Sequence, residues 1–201
     1  MAARGDQRSS LARAPNTPTD SPKQVNVSGR DYDEEKAETM SVGLKPPPNT
    51  RIFRKSSVIK TSLANIKGFH EAPQALASLT PPPMRMRVNR DERRSITEGE
   101  IDFTLFFGLL PIRWVARHET GPTADSFADI QVKGPLAYWR HEHIFTVVAG
   151  GVELTDRITL AHRPGFTGLL TRLAFDGLPL RLLFVYRHWR AKRDLLSTGE
   201  S

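Results

Sequence analysis

The chain contains no cysteine, which excludes disulfide staples and every metal site built on thiolate ligands. It also lacks a long apolar run. A membrane-spanning helix needs about 20 consecutive apolar residues, and the most apolar segment, LPLRLLFVY, is broken by Arg181. No continuous apolar core of a secretory signal occurs near residue 1. The early acidic residues Asp6, Asp20, Asp31, Asp33, Glu34 and Glu35 run against an organelle transit peptide. These absences lead us to expect a cytoplasmic protein. Also missing are a nucleophile elbow, a phosphate loop and a dinucleotide fingerprint. Most common enzyme classes are thereby removed, and no cofactor is expected.

What is present is charge, unevenly placed. The net charge is +7 and the pI about 10.0. Basic and acidic side chains balance over residues 1–48, so the excess falls entirely on the remainder. Residues 1–48 are rich in Ser, Thr, Pro, Asp and Arg and poor in large apolar side chains. They cannot bury enough surface to offset their ordering entropy, and they read as a disordered tail. Pro46–Pro48 stiffen the entry to a domain spanning residues 49–201. A basic domain favours acidic partners. No Lys/Arg block is interleaved with aromatics, so nucleic acid is not an expected partner.

The most informative stretch is GPLAYWRHEHIFTVVAGGVELTDRITL, beginning at Gly134. Two runs alternate with period 2 around Gly150-Gly151, the pattern of a β-hairpin. A Gly-Gly turn would pair Ala149 with Val152, Phe145 with Asp156 and His143 with Ile158. Trp139, His141, His143, Phe145, Val147, Leu154, Asp156, Ile158 and Leu160 then share one side. Arg140, Glu142, Thr146, Glu153, Thr155, Arg157 and Thr159 take the other. The first side is apolar and aromatic yet carries ionisable groups, which are costly to bury without partners.

Before the hairpin, Arg51–Thr61 reads as a strand and Leu63–His70, capped by Ser62, as a short helix. Gln74–Leu79 reads as a second helical piece, ended by the prolines at 81–83. Strands follow at Met84–Asn89, Glu98–Phe107, Leu110–Glu119 and Ser126–Val132. After Pro164 the apolar period changes to 3.6. This predicts helices over Phe166–Phe175 and Leu180–Leu196, with a break at Gly177–Pro179. On the second helix Leu182, Val185, Trp189 and Leu196 form an apolar stripe that should face the core. Arg181, Arg187, His188, Arg190 and Lys192 fall outside it and should be exposed, available to an anionic membrane surface.

This order makes the fold class α+β. The stretches LTPPPMRMRV, EGEIDFTLFFGLLPIRWVARHE, FADIQVKGPLAYWRHEHIF and LTDRITL resemble the SRPBCC (START-like, polyketide cyclase/dehydrase) superfamily, in particular its small stand-alone ligand-binding members. The resemblance spans roughly Arg51–Leu196. It implies a helix-grip fold, a curved antiparallel sheet wrapped around a long C-terminal helix. It also implies a cavity between them for a lipid, quinone, polyketide or other apolar molecule.

On such a sheet Phe103, Leu105, Trp114, His118, Phe127, Gln131, Trp139, His141, His143, Phe145 and Asp156 converge on one space and are the expected ligand-binding residues. The leading expectation is a binding protein for an apolar or amphipathic small molecule. The alternative is a cyclase or dehydratase using His141, His143 and Asp156 as acid and base. A metal would need His118 or Asp156 as third ligand beside His141 and His143. H-x-H in a strand is common by chance, so no metal is expected. His143 and Asp156, diagonal in the derived register, are expected to pair.

Overall fold

The computed structural model describes residues 45–197. The reading of a disordered tail therefore lies, up to residue 44, outside the described residues. Among the described residues there are seven strands: β1 (Arg51–Ile59), β2 (Arg85–Asp91), β3 (Gly99–Phe107), β4 (Leu110–Thr120), β5 (Ser126–Lys133), β6 (Tyr138–Val148) and β7 (Gly151–Ala161). Between β1 and β2 lie α1 (Leu63–Glu71) and the single turn α2 (Ala75–Ser78). The chain ends in α3 (Gly165–Phe175) and α4 (Gly177–Ser197).

All strands join one curved antiparallel sheet in the order β1-β7-β6-β5-β4-β3-β2. From β3 to β7 each strand pairs with its predecessor. β1 instead lies at the far edge against β7, so α1 and α2 cross from one sheet edge to the other. Ser62 starts α1 as the sequence implies, its hydroxyl accepting from the Asn65 N–H at 3.1 Å.

The β6–β7 register differs from the sequence-derived one by two residues. Val148 pairs with Gly151, Phe145 with Leu154, His143 with Asp156 and His141 with Ile158. Ala149 and Gly150 make the turn, and Gly151 is already strand. Gly151 has φ +147°, and a Cβ there would sit 2.1 Å from the Ile59 carbonyl oxygen of β1. The second glycine thus serves the approach of β1 and not the turn. A two-residue slip keeps every side chain on its face, so the assignment of faces stands while the partners change.

The helix α4 overturns another expectation. Its buried face is Leu180, Phe184, His188, Ala191 and Leu195. Leu182, Val185, Trp189 and Leu196, the stripe expected inside, are 59%, 52%, 52% and 41% exposed. The first half of α4 is apolar on two sides, so periodicity alone could not rank them. The sheet selects the side with small Ala191 for close approach and with His188, which has a buried partner.

Two apolar clusters fill the concave side of the sheet. One gathers Ile101, Phe103, Trp114, Trp139, Phe175 and Phe184. The other gathers Ile59, Ile66, Phe127, Phe145, Ala191 and Leu195. On α4, Phe184 belongs to the first and Ala191 to the second, with His188 between them. A belt of histidine and aspartate side chains crosses the core at that level.

Candidate functional site

The belt begins on β6. His141 and His143 point to the same face because alternate strand residues do. In the observed register Asp129 of β5 lies directly across from His141, and Asp156 of β7 directly across from His143. Each carboxylate is diagonal to the other imidazole, so the four side chains form a square of alternating type. Asp156 Oδ1 accepts from His141 Nε2 at 2.9 Å, and Asp156 Oδ2 accepts from His188 Nε2 at 2.8 Å. His143 Nδ1 is 3.0 Å from Asp156 Oδ1 but out of line for a hydrogen bond. On the other flank, Asp129 Oδ2 lies 3.2 Å from His141 Nδ1 and 3.3 Å from His143 Nε2. His188 Nδ1 meets Ser57 Oγ of β1 at 2.6 Å.

Burial alone would raise both carboxyls. The adjacent His141 and His143 outweigh it and hold Asp129 and Asp156 well below the usual carboxylate range. Burial disfavours charged His141 in the same way, but the two carboxylates prevail and its pKa is raised. His70 has no such partner. It is buried against Phe127, Phe145 and His143, and its Nδ1 donates to the Ile66 carbonyl at 2.8 Å. Burial, aided by His143, pushes its pKa down to about 3. Burial also lowers His118, whose Nδ1 is 3.0 Å from the Ile96 carbonyl.

A cavity of about 350 Å³ opens beside the belt. Phe103, Leu105, Phe107, Trp114 and Ala116 line it from the sheet, and Trp139 and Phe127 flank its polar end. Leu76, Leu79, Pro81 and Pro82 close it from the α1–β2 connection, and Phe175, Pro179, Leu182 and Leu183 from the two C-terminal helices. Its polar lining is His70, Thr80, Arg93, His118, Asp129, His141, His143 and Arg187.

Of the residues named from sequence, Phe103, Leu105, Trp114, His118, Phe127, Trp139, His141 and His143 line this cavity. Three do not. Gln131 is turned to the loop before β6, donating to the Leu136 carbonyl at 3.0 Å and accepting from its N–H at 3.3 Å. Phe145 packs in the second cluster. Asp156 sits behind the two β6 imidazoles, held under α4 by His188. Asp129 is the main residue the sequence reading passed over. It lay on the correct face with Phe127, but its position across from His141 depends on a β5–β6 register that no tight turn announces. A histidine counts as polar on a helical wheel, so periodicity alone puts the buried His188 on the outer side.

No family model matches the sequence, and no curated protein is detectably similar to it. Solved structures do match. An aromatase/cyclase, Zhui, from Streptomyces sp. R1128 superposes with a TM-score of 0.50 at 12% identity, over 76% of this chain and 94% of that one. The structure Ara h 8.0201 gives 0.51 at 10% identity, over 74% and 99%. The chain has the helix-grip fold. A third helix-grip match is part of a protein described as a nucleoside-diphosphate sugar epimerase from Corynebacterium glutamicum. It gives a TM-score of 0.54 at 26% identity over 72% of this chain, which spans only 29% of that protein. In this helix grip the cavity lies between the concave sheet and α4, with the histidine–aspartate belt at one end.

Proposed function

We propose that the protein binds an apolar or amphipathic small molecule, such as a lipid, quinone or polyketide, as a carrier or sequestering protein. The observation that carries this reading is the cavity. Its size and its largely aromatic and aliphatic walls, with polar groups gathered at one end, suit a ligand with an apolar body and an oxygen-bearing head. The head lies at Asp129, His141, His143 and His118, and the body between Trp114, Trp139 and Phe103. An environment-sensitive apolar dye should bind with enhanced emission. Ala116 is buried on the cavity wall, so Ala116→Phe should fill the space and weaken the dye at least tenfold while the fold is retained. Unchanged affinity in that variant would refute the cavity as the binding place. The second reading is a cyclase or dehydratase. It draws on His141 and Asp129 facing the cavity and on the name of the Zhui aromatase/cyclase. Turnover of a polyketide-like substrate, lost in His141→Gln, would establish it over simple binding.

The outer surface of α3 and α4 bears on where the ligand comes from. Phe166, Leu169, Leu170, Leu173, Leu178, Leu182, Val185 and Trp189 are all exposed there. Exposed Arg172, Arg181, Lys192 and Arg193 occur on the same two helices. Exposed apolar side chains mixed with cations suit an anionic membrane surface. Leu182 lines the cavity and is itself exposed, so this surface adjoins the cavity. No described helix is long and apolar enough to cross a membrane, and the contact proposed is a peripheral one. Co-sedimentation with vesicles containing phosphatidylglycerol should exceed that with neutral vesicles. It should fall at least fivefold in Leu173→Asp/Trp189→Asp. Equal recovery of wild type and variant would remove the membrane from this reading.

A further inference from the structure

His141 and His143 share an unusual position. Each presents both ring nitrogens to carboxylate oxygens, one towards Asp156 and one towards Asp129. A neutral imidazole carries a single N–H, and a carboxylate only accepts. His141 donates Nε2–H to Asp156, so its neutral form turns the Nδ1 lone pair on Asp129 Oδ2. His143 Nε2 donates to the same oxygen at 3.3 Å; with its proton moved to Nδ1, which stands 3.0 Å from Asp156 Oδ1, the Nε2 lone pair turns on that oxygen. Each ring is therefore one cation short of its surroundings, and with the His143 proton on Nδ1 both shortfalls meet at Asp129 Oδ2.

The geometry points to a divalent transition-metal site formed by Asp129 Oδ2, His141 Nδ1 and His143 Nε2, with an open coordination position towards the cavity. The spacing fits. Ligands about 2.0–2.1 Å from a tetrahedral ion stand about 3.3 Å from one another. Asp129 Oδ2 is 3.2 Å from one nitrogen and 3.3 Å from the other, and one ligand atom from each of the three residues lies within 4.8 Å of the other two. The outer shell is already built. Asp156 takes the far nitrogen of His141 and faces that of His143, and is itself held by His188, which in turn meets Ser57. Carboxylates behind metal-bound imidazoles usually have this orienting role. The charges also close, because two carboxylates and one divalent ion sum to zero with the imidazoles neutral.

Two imidazoles and one carboxylate are borderline ligands, suited to zinc or to iron(II). Asp129 keeps 19% of its side chain exposed and, like both imidazoles, lines the cavity. An oxygen donor of the occupant, such as a carbonyl, enolate or phenolate, takes the open position. The expectation of no metal rested on the weakness of H-x-H alone, with His118 or Asp156 as third ligand. His118 is engaged at the Ile96 carbonyl and Asp156 lies in the outer shell, whereas Asp129 is in reach.

The inference goes beyond ligand binding, and its test needs no natural ligand. Protein without a histidine tag is stripped with EDTA and titrated with Zn(II) and separately with Co(II). One equivalent of each should bind, and Co(II) should show the visible bands of four- or five-coordination. Acetohydroxamate, a small oxygen donor, should shift those bands. Asp129→Asn, nearly isosteric, should lower affinity at least 100-fold while circular dichroism shows an intact fold. Asp156→Asn should lower it about 10- to 100-fold. Retention of less than a tenth of an equivalent by wild type, or wild-type affinity in Asp129→Asn, overturns the site. Bands unmoved by acetohydroxamate overturn the open position. Dye binding in EDTA is read separately, so failure of the metal site is distinguishable from failure of the cavity.

Discussion

Asp156→Asn should be among the most destabilising isosteric changes available to this protein, lowering the free energy of unfolding by about 3–5 kcal/mol. The carboxylate is almost wholly enclosed, and its two oxygens are committed to different imidazoles, His141 on Oδ1 and His188 on Oδ2. An amide offers one acceptor and turns an N–H donor on the other ring. The loss is therefore twofold, a missing acceptor and a buried imidazole without its anion. Chemical denaturation followed by tryptophan fluorescence measures the change. A double-mutant cycle with His188→Gln should show coupling well above the scatter of about 0.3–0.5 kcal/mol expected of independent sites. Additive effects would show that the belt is not one network.

The second large effect is expected on acidification. A histidine whose folded pKa is depressed binds its proton more readily when unfolded, so stability is full above the unfolded value and falls as pH drops. For His70 that window runs from 6.5 down to about 3. One pKa unit corresponds to about 1.4 kcal/mol, so His70 alone removes about 2 kcal/mol between pH 6.5 and 5. His118, lowered chiefly by burial, acts in the same direction. The other groups near His70 act elsewhere. Asp129 and Asp156, depressed by their imidazoles, stabilise above the ordinary carboxylate range and lose this only at lower pH. His141, with a raised pKa, gives stability that is present below 6.5 and lost as pH rises through its folded value. His70→Phe suits the aromatic surroundings and should flatten the stability curve between pH 6.5 and 5. The measurement is denaturant unfolding in EDTA at several pH values. Parallel curves for the two proteins would show that His70 is not the group responsible.

How much of this was legible beforehand depended on the kind of contact. Alternation fixed the faces of β4, β5, β6 and β7, so most of the cavity's sheet wall was readable, Trp114 and Trp139 included. Register was not readable, because Gly150 and Gly151 look alike in a sequence and only the backbone of β1 tells them apart. With the register went the partners of the histidines. His143, expected diagonal to Asp156 and bonded to it, stands directly across from it, but Asp156 takes its hydrogen bonds from His141 and His188 and His143 bonds Asp129. The wall supplied by α2, Pro81 and Pro82 was invisible, since nothing local says that a proline-rich connection folds over a sheet. For α4 the choice between two apolar stripes belonged to the sheet, through Asp156 and its claim on His188.

The placement of β1 sets the order in which the molecule can assemble. Neighbouring strands from β2 to β7 are joined by short connections and can form ladders as they leave the ribosome. The β1–β7 pair is different: Ser56 and Thr155, bonded through their hydroxyls at 2.7 Å, are 99 residues apart in sequence. Such a pair meets the entropy of closing a long loop before it gains any contact. Of the described strands, the first in sequence is thus expected to be the last to dock, with α1 and α2 following it onto the sheet. Until then His188 lacks Ser57, and the cavity stands open along the side that α2 covers. A nascent chain of this protein can therefore meet an apolar molecule through a far wider doorway than the finished one presents.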